Sequence, residues 1–424
     1  MSAMLPAVQL GLKLGPWTPS SASVGGVASA IASLARPVPA PRAVMEALQS
    51  VKVSESDRGA TSFELTFRVG RGRGDRIDDP IVSCPELAMF TRARILVSLR
   101  GLTHVLVDGV ITRQQFTPSP KPGASTFTVH GDDLSVLLDR IDLALSLPAL
   151  SLASRAELLM KPLLPYGVTP LVVDILPPRL KAPMSLEKGV PLRGTALSLL
   201  GDIVGDIHGE FFISPTSVEG ISVGYLGPRL PLAFAAGLLQ GLPTFGWLES
   251  LVSRPLSWNV GSESNLESID FAHDGSKATI AEGSYDDAFF GAVPIVAPVA
   301  IEVPLSEAPT LTRNLPFVKT KILPEPLKPK KTFAEACVDT VMATNASAAE
   351  TVTANGELDV ARYGGVLHAR GLTLLRGVGH SYDGVWAVKS VTHSLQRGEY
   401  KQQFSLARDG LGALTPKTLE RWVS

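Results

Sequence analysis

The stretch 385-VWAVKSVTHSLQRGEYKQQFSL-406 decides the fold, because it predicts a complete β-hairpin. Residues 385–395 and 400–406 are rich in β-branched and aromatic side chains, and the four residues 396–399 between them predict the connecting loop. Gly398 fits a turn position with positive φ. In the second strand Tyr400, Gln402, Phe404 and Leu406 alternate with Lys401, Gln403 and Ser405, which places the two sets on opposite faces.

The same period of two recurs near the N-terminus, in 62-SFELTFRV-69. Its apolar residues fall on one face of a half-buried strand, and these are Phe63, Leu65, Phe67 and Val69. Further β-type runs follow at 94–99, 104–111 and 125–130. Four or five short strands at this spacing predict a small antiparallel barrel or sandwich.

The middle of the chain mixes helical and β patterns. Apolar residues at helical spacing follow Asp132 or Asp133 as an N-cap and recur over 194–206, which predicts two helices. Strands are predicted at 209–213 and 220–226, and around 256–271. Eight prolines between Pro294 and Lys331 predict an extended linker or a strand-poor excursion, followed by a short helix after Thr332.

Charge and cysteine content exclude several classes of protein. Lys+Arg 39 against Asp+Glu 40 leaves a net charge of -1, which excludes a protein that binds nucleic acid or an anionic membrane through its overall charge. Charged residues make up only 19% of the chain, and the mean hydropathy is +0.20. This composition indicates a surface that partners cover. The two cysteines, Cys84 and Cys337, exclude a disulfide framework and a Cys-rich zinc site.

No catalytic, cofactor or metal motif is complete. Ser381 lies in G-x-S-x-x-G, one residue longer than the strained turn that exposes a catalytic serine. The seven histidines are scattered without metal-ligand spacing, and His393 within a strand is typical of a packed, hydrogen-bonded residue. We therefore predict no enzymatic activity, no cofactor and no metal site.

Two segments have unusual composition. Residues 1–45 contain no acidic residue and predict a flexible or partner-ordered N-terminal extension. Nineteen uncharged residues lie between Arg229 and Glu249, but prolines and glycines interrupt them, so we predict a buried helical insertion or a partner-facing apolar loop and no membrane anchor. The candidate partner-facing side chains are Leu232, Phe234, Leu238, Leu239, Phe245 and Trp247.

The C-terminal hairpin resembles the closing segment of the late-control-D family. These are the baseplate hub proteins of contractile phage tails and contractile injection systems, and the hub part of type VI spike proteins. The shared pattern is V-x-S-V-T-H-x-x-x-R-G-x-Y-x-Q-x-F-x-L-x-R, and the signature positions here are Val391, Thr392, His393, Arg397, Gly398, Tyr400, Gln402, Phe404, Leu406 and Arg408. Residues 51–69 and 257–271 resemble two earlier segments of the family in the same order.

The resemblance implies a β-rich α+β fold with two tube-like antiparallel β-barrels, a mixed α/β middle domain and helical insertions. The implied divisions follow the chain: the extension 1–45, the first barrel 46–131, a helical and Pro-rich connector 132–185, a middle domain 186–280 that contributes to the second barrel and contains the apolar insertion 227–255, a Pro-rich excursion with a helix 281–361, the C-terminal hairpins of the second barrel 362–412, and a tail 413–424.

The resemblance also implies a structural function. Three subunits would form a ring of six barrels around a central channel, between a sixfold tail tube and a threefold spike made by a separate polypeptide. Such a hub contacts other baseplate components, has no nucleic-acid specificity, and is assembled in the prokaryotic cytoplasm as part of a tail-like particle. Two alternatives stay open: a cell-wall hydrolase using Ser381 with His380 or His393, and a membrane-associated adhesin built on 230–248.

Overall fold

The computed structural model describes most of the chain. The described residues are 8–15, 37–70, 79–121, 123–140, 142–147, 152–173, 190–207, 209–216, 220–229, 253–287, 289, 291–296, 304–323 and 333–414. The apolar insertion 230–248, with its six candidate partner-facing residues, lies outside them, as does most of the extension 1–45.

Seven strands form the N-terminal β region. They are β1 (Val8–Gly15), β2 (Val38–Pro39), β3 (Leu48–Ser56), β4 (Ser62–Val69), β5 (Arg92–Leu99), β6 (Leu102–Thr117) and β7 (Ser125–Asp133), with the short helix α1 (Arg42–Ala47) before β3 and a 3-10 turn at Pro85–Leu87. Their order across the sheet is β3-β4-β7-β6-β5-β1-β2, and all pairs are antiparallel. The alternation predicted for β4 is confirmed, because its four apolar residues are buried.

Strand β1 corrects part of the prediction for the N-terminus. All eight residues of β1 pair with β5, and Leu12 and Leu14 are buried in the core of the sheet. The expectation of a flexible or partner-ordered extension is therefore wrong for Val8–Gly15. The chain itself orders this segment, because the strand buries two leucines and pairs its backbone with β5.

The middle of the chain forms a smaller α/β unit with its own core. Its elements are β8 (Asp142–Leu147), α2 (Leu152–Met160), β9 (Val168–Val172), β10 (Val190–Thr195), α3 (Ala196–Asp206), β11 (Glu210–Pro215) and β12 (Ser222–Gly227), with 3-10 helices at Leu134–Arg140 and Lys161–Tyr166. β8 pairs with β10, while β12 lies between β9 and β11. The helix predicted over 194–206 begins two residues later, because the Thr195 hydroxyl caps it by accepting from Ser198 N (3.2 Å). The predicted helix after Asp133 is a 3-10 helix.

The C-terminal β region extends the large sheet. Its elements in chain order are β13 (Leu256–Ser257), β14 (Leu266–His273), β15 (Thr279–Asp287), β16 (Gly291–Val296), β17 (Ala308–Pro309), α4 (Thr310–Arg313), β18 (Lys319–Ile322), α5 (Phe333–Ala348), β19 (Val352–Asp359), α6 (Val360–Tyr363), β20 (Leu372–Arg376), β21 (Gly384–Gln396), β22 (Glu399–Arg408) and β23 (Gly410–Leu411). Short 3-10 turns lie at Gly261–Glu263, Gly275–Lys277 and Leu315–Phe317.

The two β regions share one sheet of thirteen strands. β14, β19, β22 and β21 follow one another, β21 pairs with β3, and β20 and β13 extend from β21 on a side branch. One cluster of buried apolar side chains runs through both regions, from Leu65 and Phe67 to Trp386, Val391 and Phe404. The predicted β-rich α+β class is confirmed, and its main feature is this large antiparallel sheet.

The Pro-rich segment holds more structure than the sequence predicted. β15 lies between β16 and β18 in a three-stranded sheet, and α5 covers one face of it. The Thr344 hydroxyl on α5 accepts a hydrogen bond from Ala281 N on β15 (2.9 Å). The prediction of a strand-poor excursion is therefore wrong for the described part of this segment. Among its described prolines, Pro294 lies in the edge strand β16 and Pro309 ends β17, where a missing N–H costs little, while Pro316 lies in a 3-10 turn.

Candidate functional site

The junction between the two β regions is the pairing of β3 with β21. Seven residue pairs connect the strands, from Ser50 opposite Gln396 to Ser56 opposite Ser390. Because side chains alternate along a strand, the junction has a core side and an outer side. Each side carries an arrangement of polar residues.

On the core side lies a cluster of five polar side chains, which we call the clamp. They come from three strands and one loop: Glu55 on β3, His368 in the loop before β20, His393 on β21, and Tyr400 and Gln402 on β22. His393 and Gln402 are fully buried, and Glu55 is 7% exposed. Polar groups at this depth need partners, since an unpaired buried donor or acceptor costs about 1–3 kcal/mol.

Gln402 fixes the orientation of the clamp. Its amide oxygen accepts a hydrogen bond from Leu367 N (3.1 Å), and its amide nitrogen donates to the Leu367 carbonyl (2.8 Å). Backbone N–H groups only donate and carbonyl groups only accept, so the amide has one possible orientation. The amide nitrogen lies at the same time 3.1 Å from Nδ1 of His393.

This orientation assigns the proton of His393. Because Gln402 presents an N–H group to Nδ1, this ring nitrogen must accept, and the Tyr400 hydroxyl lies 2.8 Å from the same atom as a second donor. The proton of the neutral imidazole is then on Nε2, which donates to Oε1 of Glu55 (3.2 Å). The strands β3, β21 and β22 are thereby linked through side chains beneath their backbone hydrogen bonds.

Glu55 is the centre of charge in the clamp. Its Oε1 also bonds Nδ1 of His368 (3.1 Å), and its Oε2 accepts from Ala369 N (2.9 Å). Burial alone would raise the pKa of Glu55, but the charge of His368 and hydrogen bonds from His368 and His393 outweigh burial and hold this pKa well below its usual range. Burial opposes the charged form of His368, yet Glu55 raises its pKa above the ordinary value. His104 on β6 is not part of the clamp but is close enough to feel the charge of His368. Burial, with a smaller contribution from that charge, lowers the pKa of His104 to about 4.

The clamp brings together atoms that could ligate a metal, but the ring nitrogen of His393 that faces Glu55 carries a proton and so cannot ligate. One ligand atom from each of Glu55, His368 and His393 lies within 4.8 Å of the others. A histidine ligates through a deprotonated nitrogen, so a metal on Nε2 of His393 would move the proton to Nδ1. There it would face the N–H group of Gln402. The arrangement therefore fits a hydrogen-bonded junction and does not fit a metal centre.

On the outer side, polar residues follow one another over the central strands of the sheet, from β19 to β6; we call this surface the polar face. Neighbouring strands contribute directly opposed residues, which form two rows. The first row, from β19 to β6, is Asp359, Lys401, Ser394, Lys52, Glu64, His130 and Arg113; the second, from β19 to β7, is Glu357, Gln403, Thr392, Ser54, Ser62 and Asp132.

The charges of the polar face nearly balance, since the rows hold the acidic residues Asp359, Glu64, Glu357 and Asp132 and the basic residues Lys401, Lys52 and Arg113. Lys401 Nζ lies 2.8 Å from a carboxylate oxygen of Glu267 and 2.9 Å from one of Glu357. Further along the rows, the Thr112 hydroxyl donates to Asp132 (3.1 Å). Cross-strand pairs of opposite charge stabilise a sheet and leave little net field above it. The face is thus hydrophilic without being strongly basic or acidic.

The structure divides the signature positions between these features. His393, Tyr400 and Gln402 meet in the clamp, and Thr392 lies on the polar face. Arg397 donates to the Glu46 carbonyl (2.7 Å), and Gly398 has a φ of +84°. The guanidinium of Arg408 lies 4.3 Å from the Trp386 ring centre and donates to the Asp383 carbonyl (3.0 Å). The remaining three, Val391, Phe404 and Leu406, are buried in the core.

The residues named for a hydrolase are not arranged as a catalytic site. His380 is exposed and contacts Glu307 (3.3 Å), while both ring nitrogens of His393 are occupied within the clamp. In the described part of the chain, no hydrogen bond connects Ser381 to either histidine. Nor do the described helices include one with the length and apolar character needed to span a membrane.

The sequence did not indicate two members of the clamp, Glu55 and His368. Glu55 stands 338 positions before its partner His393, and no spacing rule connects them. The one available signal was a polar residue at an apolar position of an alternating strand, which applies to Glu55 after Val51 and Val53.

Comparison with solved structures identifies the fold. A tail protein from Neisseria meningitidis MC58 matches with a TM-score of 0.56 and 13% identity, over 96% of this chain and 98% of that chain. The 43 kDa tail protein of prophage MuSo2 from Shewanella oneidensis matches with a TM-score of 0.56 and 11% identity, over 96% and 100%.

A chain of the lidded Francisella PdpA-VgrG complex matches with a TM-score of 0.53 and 8% identity, over 98% of this chain and 55% of that one. No family profile and no curated protein sequence matches the chain. The chain has the fold of these tail proteins, and the resemblance that the C-terminal hairpin indicated is confirmed at the level of the fold.

Proposed function

We propose that this chain, which has the fold of phage tail proteins, is the structural baseplate hub of a contractile injection system or phage tail. Three copies form a ring that joins the sixfold tail tube to the threefold spike and encloses the central channel. The observation that carries the proposal is the polar face, because it crosses both β regions on a single sheet.

The polar face has the properties expected of a channel wall. The small hydroxyl residues Thr392, Ser54 and Ser62 lie next to one another in the second row, and at the β19 end of the rows Lys401 pairs with Glu357. Such a wall stays hydrated and offers no apolar patch on which a passing polypeptide would adhere. The opposite side of the sheet is buried, so the sheet has one wet side and one packed side.

Each β region corresponds in this proposal to one tube-like barrel. The N-terminal strands β1–β7 form the first, and β14, β19, β21 and β22 form the principal part of the second. Two such units in each of three subunits give six positions around the ring, which matches a sixfold tube, while the subunits themselves keep the threefold symmetry of a spike.

The remaining partners follow from this position. A tube protein lies above the ring, and a separate spike protein and other baseplate components lie below or around it. The insertion at 230–248, with Leu232, Phe234, Leu238, Leu239, Phe245 and Trp247, is proposed to contact such components. The chain carries out no catalysis and holds no cofactor. It is assembled in the prokaryotic cytoplasm into a tail-like particle.

Native mass spectrometry of the purified chain, alone and with its tube protein, tests the proposal. A trimer under either condition is the expected result, since the ring requires three copies. Electron microscopy of intact particles then locates the chain between tube and spike. A monomer under both conditions, or a position elsewhere in the particle, would overturn the proposal.

A further inference from the structure

Residues 304–314, which we call the strap, connect the small sheet of β15, β16 and β18 to the large one. β17 in the strap pairs with β23, and two further backbone hydrogen bonds extend this pairing: Thr310 N donates to Asp409 O (2.8 Å) and Glu307 N to Gly412 O (3.2 Å). The contact is close, since a Cβ atom at Gly410 would lie 2.1 Å from the Ala308 carbonyl oxygen.

The side chain of Asp409 lies inside this contact. Asp409 is 4% exposed, and its Oδ1 accepts a hydrogen bond from Leu305 N of the strap (3.1 Å). Its Oδ2 makes no hydrogen bond of normal geometry within the described part of the chain, and its polar neighbour is the buried Ser306 hydroxyl, which is itself without a bond of normal geometry. An ionised carboxylate that is buried and only half satisfied destabilises the contact around it.

The surrounding charged groups compensate for this carboxylate only in part. Arg408 is adjacent, but its guanidinium lies over the Trp386 ring and donates to the Asp383 carbonyl. Tyr382 and Asp383 lie beside Arg408. On the strap side, Glu307 pairs with His380 at the surface, and His273 bonds the Thr310 hydroxyl (3.0 Å).

Burial therefore dominates the titration of this group. It raises the pKa of Asp409 from 3.8 to about 6, against the opposing effects of the Ser306 hydroxyl, the Leu305 amide and Arg408. When the strap opens, the carboxyl meets water and its pKa returns toward the lower value. The docked state thus binds the proton more tightly than the open state, and docking weakens as the pH rises from about 4 to about 6.

We propose that Asp409 makes the docking of the strap pH-sensitive, so that mildly acidic solution holds the strap firmly and neutral or alkaline solution loosens it. The strap lies between β16 and β18 of the small sheet, so its docking holds that sheet against the large one. The chain also joins the small sheet and α5 to the large sheet at two other places, where β14 leads to β15 and α5 leads to β19. The protonation of Asp409 thus sets how firmly the small sheet and α5 are attached to the large sheet. This proposal is independent of the proposed hub function.

Hydrogen exchange of the Leu305 and Thr310 amides, corrected for the intrinsic pH dependence of exchange, measures strap opening directly. In the wild-type chain, opening should increase by up to ~100-fold between pH 4 and pH 7.5, which is the factor that a shift of about two pH units gives. In Asp409→Asn, which keeps the shape and removes the charge, opening should stay at its low level throughout.

Glu307→Gln is the matched control, because it removes an exposed carboxylate from the same strap and should keep the wild-type profile. A flat wild-type profile would overturn the proposal even if Asp409→Asn failed to fold. So would an equal increase in the wild type and in Asp409→Asn.

Discussion

Among single residues, Gln402 contributes most to the order of the clamp. Replacing it by leucine keeps the volume and removes three hydrogen bonds, including both that satisfy the buried Leu367 backbone. Because the unpaired groups of Leu367 stay buried, we expect Gln402→Leu to lower the free energy of unfolding by about 2–4 kcal/mol. Urea denaturation followed by circular dichroism measures this loss.

The neighbouring Gln403 supplies a matched control. It is exposed on the polar face, where its amide contacts Glu357 (3.2 Å). Gln403→Leu should change the free energy of unfolding by less than about 0.5 kcal/mol, as is usual for surface substitutions. Equal losses in the two variants would show that the clamp has no special role in stability.

Glu55 should make stability depend on pH in acid. Its folded pKa lies below the unfolded value of about 4.3, so its stabilisation is present above that pH and is lost as the pH falls toward the folded pKa. We expect the wild-type chain to be more stable than Glu55→Gln at pH 7. The difference should shrink between pH 4.5 and pH 2.5 in urea titrations at each pH. A difference that stays constant over this range would contradict the assignment.

At the residue scale, sequence reasoning predicted which side chains share a face but not their partners. Alternation placed Tyr400 and Gln402 on the same face as Phe404 and Leu406, and that face is buried. It could not supply the partners, because Leu367 and Glu55 reach Gln402 and His393 only through the pairing of distant segments. A buried glutamine within an apolar row is a sign that such partners exist.

Among the elements, the hairpin of β21 and β22 has a shorter turn than its sequence predicted. Gln396 pairs with Glu399, which leaves only Arg397 and Gly398 in the loop. The polar residues 396 and 399 matched turn composition, yet the long flanking strands extend their pairing to the last possible residue. Composition locates a turn, whereas strand pairing sets its length.

Gly398 allows a test of this turn. Its φ of +84° lies in the left-handed region, where a side chain costs about 1 kcal/mol, so Gly398→Ala should destabilise the chain by that amount. Gly201→Ala in α3 is the same chemical change at an exposed position with open space around it. It should stabilise by about 0.5–1 kcal/mol, since alanine favours a helix. Chemical denaturation measures the change in the free energy of unfolding for both variants. Changes of the same sign would contradict the turn assignment.

Across the whole molecule, the sequence predicted the class and the family resemblance but not the continuity of the sheet. Residues 46–131 and 362–412 each carry local strand patterns, and these indicate nothing about whether β3 and β21 pair. Strand register over such separations is set by which faces are buried together, here Val53 and Glu55 beside Val391 and His393. The junction, and with it the polar face, emerges only when both β regions are assembled.

The polar face therefore carries the prediction that belongs to the assembled particle. Thr392 lies at the centre of the junction, on the outer side of the sheet. With Cys84 and Cys337 replaced by serine, the variant Thr392→Cys should react in the free subunit with both a small maleimide and a polymer-bearing maleimide. On the proposal that this face lines an enclosed channel, only the small reagent should react in the particle, because the channel excludes the polymer. Mass spectrometry of the labelled chain reads out both reactions. Equal labelling by the polymer-bearing reagent in subunit and particle would place this face outside the channel.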